Sequence, residues 1–291
     1  MPHNLLRTAA FAAALVLVSS PSFAQAPKVE RAVMDQRTVS GNFEAFVNLL
    51  VRQQVKPTWV GYSVPAVAGQ RISGWDNTVY LEGMPASPLD RPVRPDTDKT
   101  LTILFRVENK EIGRLGSYSP DITIDAGGLP FIWLTGVSPA ESVRWLAGIA
   151  RAAAAPDTAT GTLWPAERLS NSAIKAVALH DEMSADTTLE QLVAKDQPMA
   201  WRRQAALWLG QSRGERGYQA LRTAVANDPS VEFRKQVATA LAQSRVPAAV
   251  DTLIQMARAD ADKSVRERAA SSLAQTKDPR AIAFFEQVLK R

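Results

Sequence analysis

The sequence predicts a mainly α protein, a C-terminal α-solenoid of stacked helical hairpins preceded by a small α+β domain. Three observations predict it. One phrase recurs every 32 residues: WRRQAALWLGQ at 201–211, FRKQVATALAQ at 233–243 and VRERAASSLAQ at 265–275. Within and between these phrases apolar residues keep helical spacing, whereas the chain before residue 138 alternates in short strand-like runs parted by turn residues. Repetition at this period is the mark of an array in which each unit buries its apolar face only against its neighbours.

The first 24 residues read as a leader rather than as part of the fold. Arg7 precedes the apolar run AAFAAALVLV (9–18), and small residues follow in SSPSFAQA. Cleavage after Ala24 suits the pattern better than cleavage after Ala26, which would put Pro27 first. Ten apolar residues are too few to span a bilayer, which takes about 20, so the mature chain is expected to be exported, to the periplasm, with no stable membrane insertion. The protein has 291 residues, 46% of them hydrophobic and 22% charged, enough for two cores. It contains no cysteine, so neither disulfides nor thiolate metal sites are available to it. Its net charge of +5 is concentrated beyond residue 168 and is far from that of a nucleic-acid arm. No nucleic-acid partner is expected.

Residues 27–155 form the expected α+β domain. SGNFEAFVNLLVRQQ (40–54) puts Phe43, Phe46, Val47, Leu50 and Val51 on one helical face, with Ser40 as cap. TWVGYSVPAV and NTVYLEG read as strands, and LTILFRV and IGRLGSY flank ENKE as a β-hairpin. Two further short runs surround Gly127 and Gly128. Ser138, Pro139 and Glu141 then compose a helix start, cap, first position and capping box in turn. The proline-rich stretch 83–99 reads as a long loop, and 156–168 as the linker.

From 169 to 291 the columns repeat. Arg202, Arg234 and Arg266 share one; Leu209, Leu241 and Leu273 close the first helix of each unit. Leu221, Leu253 and Phe285 mark the second helix, and Ala173, Ile174, Val177, Leu189 and Leu192 supply an earlier unit, four hairpins in all. Asp196, Asp228 and Asp260 stand six residues before each arginine position, where each arginine can pair with its own aspartate or with the next unit's. These columns resemble the HEAT repeat, in its short bacterial form shared with bilin (PBS) lyases. The resemblance implies a helical scaffold; the lyases act inside cells, against which the leader argues. WVGYSVPAV and AGGLPFIWLTGVSPAESV are similar to the N-terminal region of exported bacterial proteins that carry HEAT repeats, and imply no activity.

Two sets of residues are candidates for function. A partner-binding strip on the solenoid comprises Trp201, Phe233 and the basic neighbours Arg203, Lys235 and Arg268, with Trp208 as an anchor; the competing reading makes the arginine column an inter-unit ladder and the aromatics core cover. The alternative is a small-molecule or hydrolase pocket in the α+β domain, lined by Trp59 and Tyr62 with Trp75 near, and carrying Asp121 and Asp125 as a carboxylate pair with one pKa raised. His180, the single histidine beyond the leader, reads as a surface turn residue in LHDEM. No cofactor, metal or catalytic residue is expected: one histidine without cysteine makes neither a zinc site nor a triad. The reading that follows is an exported interaction scaffold that binds a protein partner through its solenoid.

Overall fold

A computed structural model describes residues 26–67, 78–83, 99–153 and 165–290. The leader, Trp75, nearly all of the 83–99 loop and 156–164 of the linker lie outside the described residues.

The α+β domain is built in three layers. Its central sheet has five strands in the order β2 (Met34–Thr38), β8 (Phe131–Thr135), β3 (Thr58–Pro65), β5 (Thr100–Glu108) and β6 (Glu111–Tyr118). The first three run parallel and β3–β5–β6 antiparallel, with Tyr62 opposite Ile103 and Leu134. Both faces are covered, which is why TLTILFRV and FIWLT read as unbroken apolar runs. On one face Val60, Tyr62, Ile103, Phe105 and Ile132 meet α1 (Phe43–Gln53) and α2 (Pro139–Ala152). There Trp145 packs its ring against Phe43 and Phe105, at 5.4 and 5.1 Å between centroids. On the other face Trp59, Leu104, Phe131 and Trp133 meet a small parallel sheet of β1 (Lys28–Glu30), β7 (Thr123–Asp125) and β4 (Thr78–Tyr80). Sequence reading missed β1 and β2, three and five residues long and mostly exposed. The helix caps also differ from expectation. Asn42, not Ser40, caps α1 by accepting from Ala45 N, and Ser138 caps α2 through its carbonyl rather than its hydroxyl.

Eight helices follow as four hairpins: α3 (Pro165–Leu179) with α4 (Met183–Leu192), α5 (Met199–Ser212) with α6 (Gly214–Ala226), α7 (Val231–Ala242) with α8 (Ala248–Ala259), and α9 (Lys263–Gln275) with α10 (Pro279–Leu289). The start of α3 lies inside the stretch read as linker. The first helices of the units lie hard against one another, while α4 and α6 barely touch. Small residues set that closeness. A Cβ on Gly210 would stand 2.3 Å from the carbonyl oxygen of Ala240, where α5 crosses α7. Gly210→Ala must therefore push two backbones apart, and urea denaturation is expected to register a loss of about 1–3 kcal/mol; an unchanged midpoint would show that the crossing is loose.

The domain and the solenoid share one core, continuous from Phe43 to Phe284. α2 lies against α3 as α5 does on its other side, so the domain's own helix opens the stack. Backbone bonds seal the junction: Val67 N to Leu179 O and Asp181 N to Pro65 O, both 3.0 Å, around a bridge between Ala66 and His180. A solenoid needs its ends closed, and the sheet domain closes this one.

Candidate functional site

The arginine column points inward. The Arg202 guanidinium donates to the Asp228 carboxylate of the following unit and its Nε–H to the Val193 carbonyl of the loop before it. Arg234 repeats the arrangement, reaching Asp260 at 2.9 and 3.1 Å and the Asp228 carbonyl at 2.9 Å. Each arginine thus fastens its own leading loop and the next unit's aspartate, choosing the second of the two partners that sequence left open. The aspartates do not cap helices. Asp228 and Asp260 accept from the N–H two residues on, folding the loop ahead of the cap. Arg234 holds the Asp260 carboxyl below its usual range against the opposing pull of burial. Asp196 is exposed, because the helix it would serve carries Ser170 instead, which donates to the Ala150 carbonyl of α2.

The six residues singled out for partner binding do not form one surface. Phe233 is fully buried beneath the Arg202 guanidinium, 3.7 Å from its ring centroid. Trp201 and Trp208 are half-buried against the core, and Lys175 stands 5.9 Å over the Trp208 ring. Arg203 and Lys235 are half-buried, Lys235 beside Glu232, and Arg268 is exposed. The aromatic strip is core cover.

The four residues of the alternative pocket are also separated. Trp59 and Tyr62 are an odd number of positions apart on β3, so they face opposite sides of the sheet. Asp121 precedes β7 and is exposed. Asp125 is buried and gripped by Arg31, whose Nε lies 2.7 and 2.9 Å from its two oxygens. That bond lowers the Asp125 pKa, the opposite of what a general acid requires.

His180 corrects the sequence reading most sharply. It is fully buried, not a surface turn residue, because the domain docks over the α3–α4 turn. Nδ1 lies 2.7 Å from the Ala176 carbonyl, which only accepts, so Nδ1 carries the proton. Nε2 then accepts from Ser142 Oγ at 2.9 Å, and Ser142 accepts from the Tyr62 hydroxyl at 2.7 Å. Serine beside histidine has the make-up of a nucleophile and its base. Here all three side chains are buried to zero exposure, so the chain Tyr62–Ser142–His180 joins β3, α2 and the turn after α3 as a structural bond.

The family assignment follows from the ladder and the hairpins. The HEAT repeats family model matches residues 222–291, and that of the PBS lyase HEAT-like repeat matches residues 201–227. Residues 201–291 carry HEAT repeats. No curated protein matches the chain.

The HEAT array leaves one kind of concavity open. Because α4 and α6 stand apart, a groove of about 480 Å³ runs between them, floored by Val193, Ala194, Ala220 and Ala224 and rimmed by Glu190, Lys195, Gln219 and Asn227. A second hollow of about 430 Å³ lies where the domain meets the first hairpin, beside Val67, Met183, Arg213 and Arg216. Arg213 and Arg216 both bind Asp186 there, at 2.7 and 2.9 Å, and hold its pKa down against burial. Among the described residues no group of three metal-ligating side chains occurs, and no helix is long and apolar enough to cross a membrane.

Proposed function

We propose that the protein is an exported scaffold that binds a protein partner along the second-helix face of its HEAT array and performs no catalysis. The groove between α4 and α6 carries this reading. An apolar floor with a polar rim is the make-up of a partner site, and it lies where successive helices part rather than where the ladder locks them. The leader, with its short apolar run behind Arg7, supports export. Neutralised chemistry supports the absence of catalysis: Asp125 is spent on Arg31 and His180 is sealed under the domain.

The test must keep the chain whole, since α2 and α3 share a core and cutting between them would expose it. A photo-crosslinking residue at Thr223 on α6, or at Gln255 on α8, is expected to capture one protein in the native cell envelope. The same residue at Gln36, on the outer edge of β2, is expected to capture none. All three positions are exposed. Capture from Gln36 alone would move recognition to the sheet domain.

A further inference from the structure

Among the described residues, β2 pairs with β8 alone, at the edge of the five-stranded sheet, and four of its five residues are exposed. Such edges are usually blunted by proline, lysine or a bulge. The strand, MDQRT, contains neither residue, and its register with β8 runs unbroken from Met34 to Thr38. Just beyond it the Val39 N–H bonds to the Thr135 carbonyl at 2.9 Å. Backbone groups alternate sides along a strand, so Asp35 and Arg37 also turn theirs toward β8, while Met34, Gln36 and Thr38 turn theirs outward. The edge therefore presents a row of backbone donors and acceptors facing away from the sheet.

We propose that this edge pairs with the same edge of a second copy of the chain, antiparallel and two-fold about Gln36, joining the two sheets into one. The strand is complementary to itself in that register. Gln36 meets the second copy's Gln36 and Met34 meets its Thr38, so the outward groups exchange bonds. Asp35 then stands opposite the second copy's Arg37, and Arg37 opposite its Asp35. These are the non-bonded positions, where side chains approach most closely. On each strand Arg37 already donates from Nε to the Asp35 carboxylate at 2.9 Å, so the four side chains close into a square of alternating charge. Val33, 87% exposed just ahead of β2, comes opposite Val39. Other registers are poorer. An axis at Asp35 sets carboxylate against carboxylate, and one at Arg37 sets guanidinium against guanidinium. Axes at Met34 or Thr38 put Asp35 opposite Val33 or Arg37 opposite Val39. The pairing does not depend on the scaffold reading above, since no residue of the helical array takes part in it.

Sedimentation velocity on the full chain tests this, and a concentration-dependent dimer is expected. Arg37→Asp and Asp35→Arg each set like charges opposite at both pairs, and each should weaken association about a hundredfold, about tenfold per pair. Mixed together, the two variants should dimerise with each other, and so should a chain carrying both changes, because unlike charges then face again across the axis. That recovery separates lost pairing from lost folding. The sequence has no cysteine, so Gln36→Cys gives a second readout. Residues paired on the axis have Cα atoms about 5.5 Å apart, within disulfide reach, and mild oxidation should join two chains there. Leu49→Cys, exposed on α1, should stay single. A monomer at every concentration, or a dimer indifferent to both charge reversals, would overturn the proposal. In the envelope, a crosslink from Gln36 then joins two copies of this chain and captures no partner; a different protein captured there would make the occupant a foreign strand and overturn the proposal too. None of these outcomes bears on capture from Thr223, on which the scaffold reading stands or falls.

Discussion

Arg202→Ala is expected to cost about 3–5 kcal/mol of unfolding free energy, and Arg266→Ala less than about 1. Both residues hold the same place in the repeat, so the contrast isolates what the neighbouring unit contributes. The side chains of Arg202 and Asp228 are 3% and 2% exposed. Removing the arginine leaves a carboxylate in the interface between the second and third units, with the Ser230 N–H as its remaining hydrogen bond. It also uncovers Phe233 and frees the Val193 carbonyl. Among the described residues Arg266 meets no carboxylate, so its loss strands no charge and frees only the carbonyls of Asp260 and Ala261. Arg234, partly exposed beside Asp260, should fall between the two. Urea unfolding followed by circular dichroism measures all three. The companion double variant Arg202→Met with Asp228→Leu should recover most of the loss, because a buried ion pair replaced by apolar side chains of similar volume is near neutral. Equal effects for Arg202 and Arg266 would mean that the pair is not what locks the units.

That ladder was half legible in the sequence, and the reason is physical. Units that stack must present the same face to the same neighbour, so Arg202, Arg234 and Arg266 align however the chain curves. Choosing between the aspartate six residues before and the one in the following unit depends on which loop the guanidinium reaches, and spacing does not encode that. The sheet domain was legible as runs of strand, since Val60, Ile103 and Ile132 needed only local apolar runs bounded by turn residues. Parity alone separates Trp59 from Tyr62, three positions apart on β3, and grouping them as one pocket overlooked it. The carboxylate pair failed for another reason: β7 begins at Thr123, and alternation carries no meaning back to Asp121. His180 gave no local warning. Its polar neighbours Asp181 and Glu182 signal a turn, which is present, but the domain that buries the turn comes from residues more than a hundred positions earlier, at Pro65 and Ala66.

The docking of the domain onto the array should be lost with acid at one residue. Burial pushes the His180 pKa down from 6.5 to about 4; the Ala176 carbonyl opposes the shift, the Arg213 cation adds to it and Glu182 opposes it. Between pH 6.5 and about 4 the unfolded chain takes up a proton that the folded chain refuses. Stability therefore rises with pH across that window and falls as acid is added, by about 3 kcal/mol in total. Protonation would also turn Nε2 from acceptor to donor and reverse the Ser142–Tyr62 chain. The aspartates act in a lower window. Asp125, Asp186 and Asp260 have depressed pKa values, so their contribution persists above the ordinary carboxylate range and is lost only below it. His180→Gln retains a donor and an acceptor but cannot titrate. Its urea midpoint is expected to stay nearly level from pH 7 to 4.5 while that of the unmodified chain declines. Parallel profiles for the two proteins would show that the acid sensitivity lies elsewhere and that the Tyr62–Ser142–His180 chain does not hold the junction.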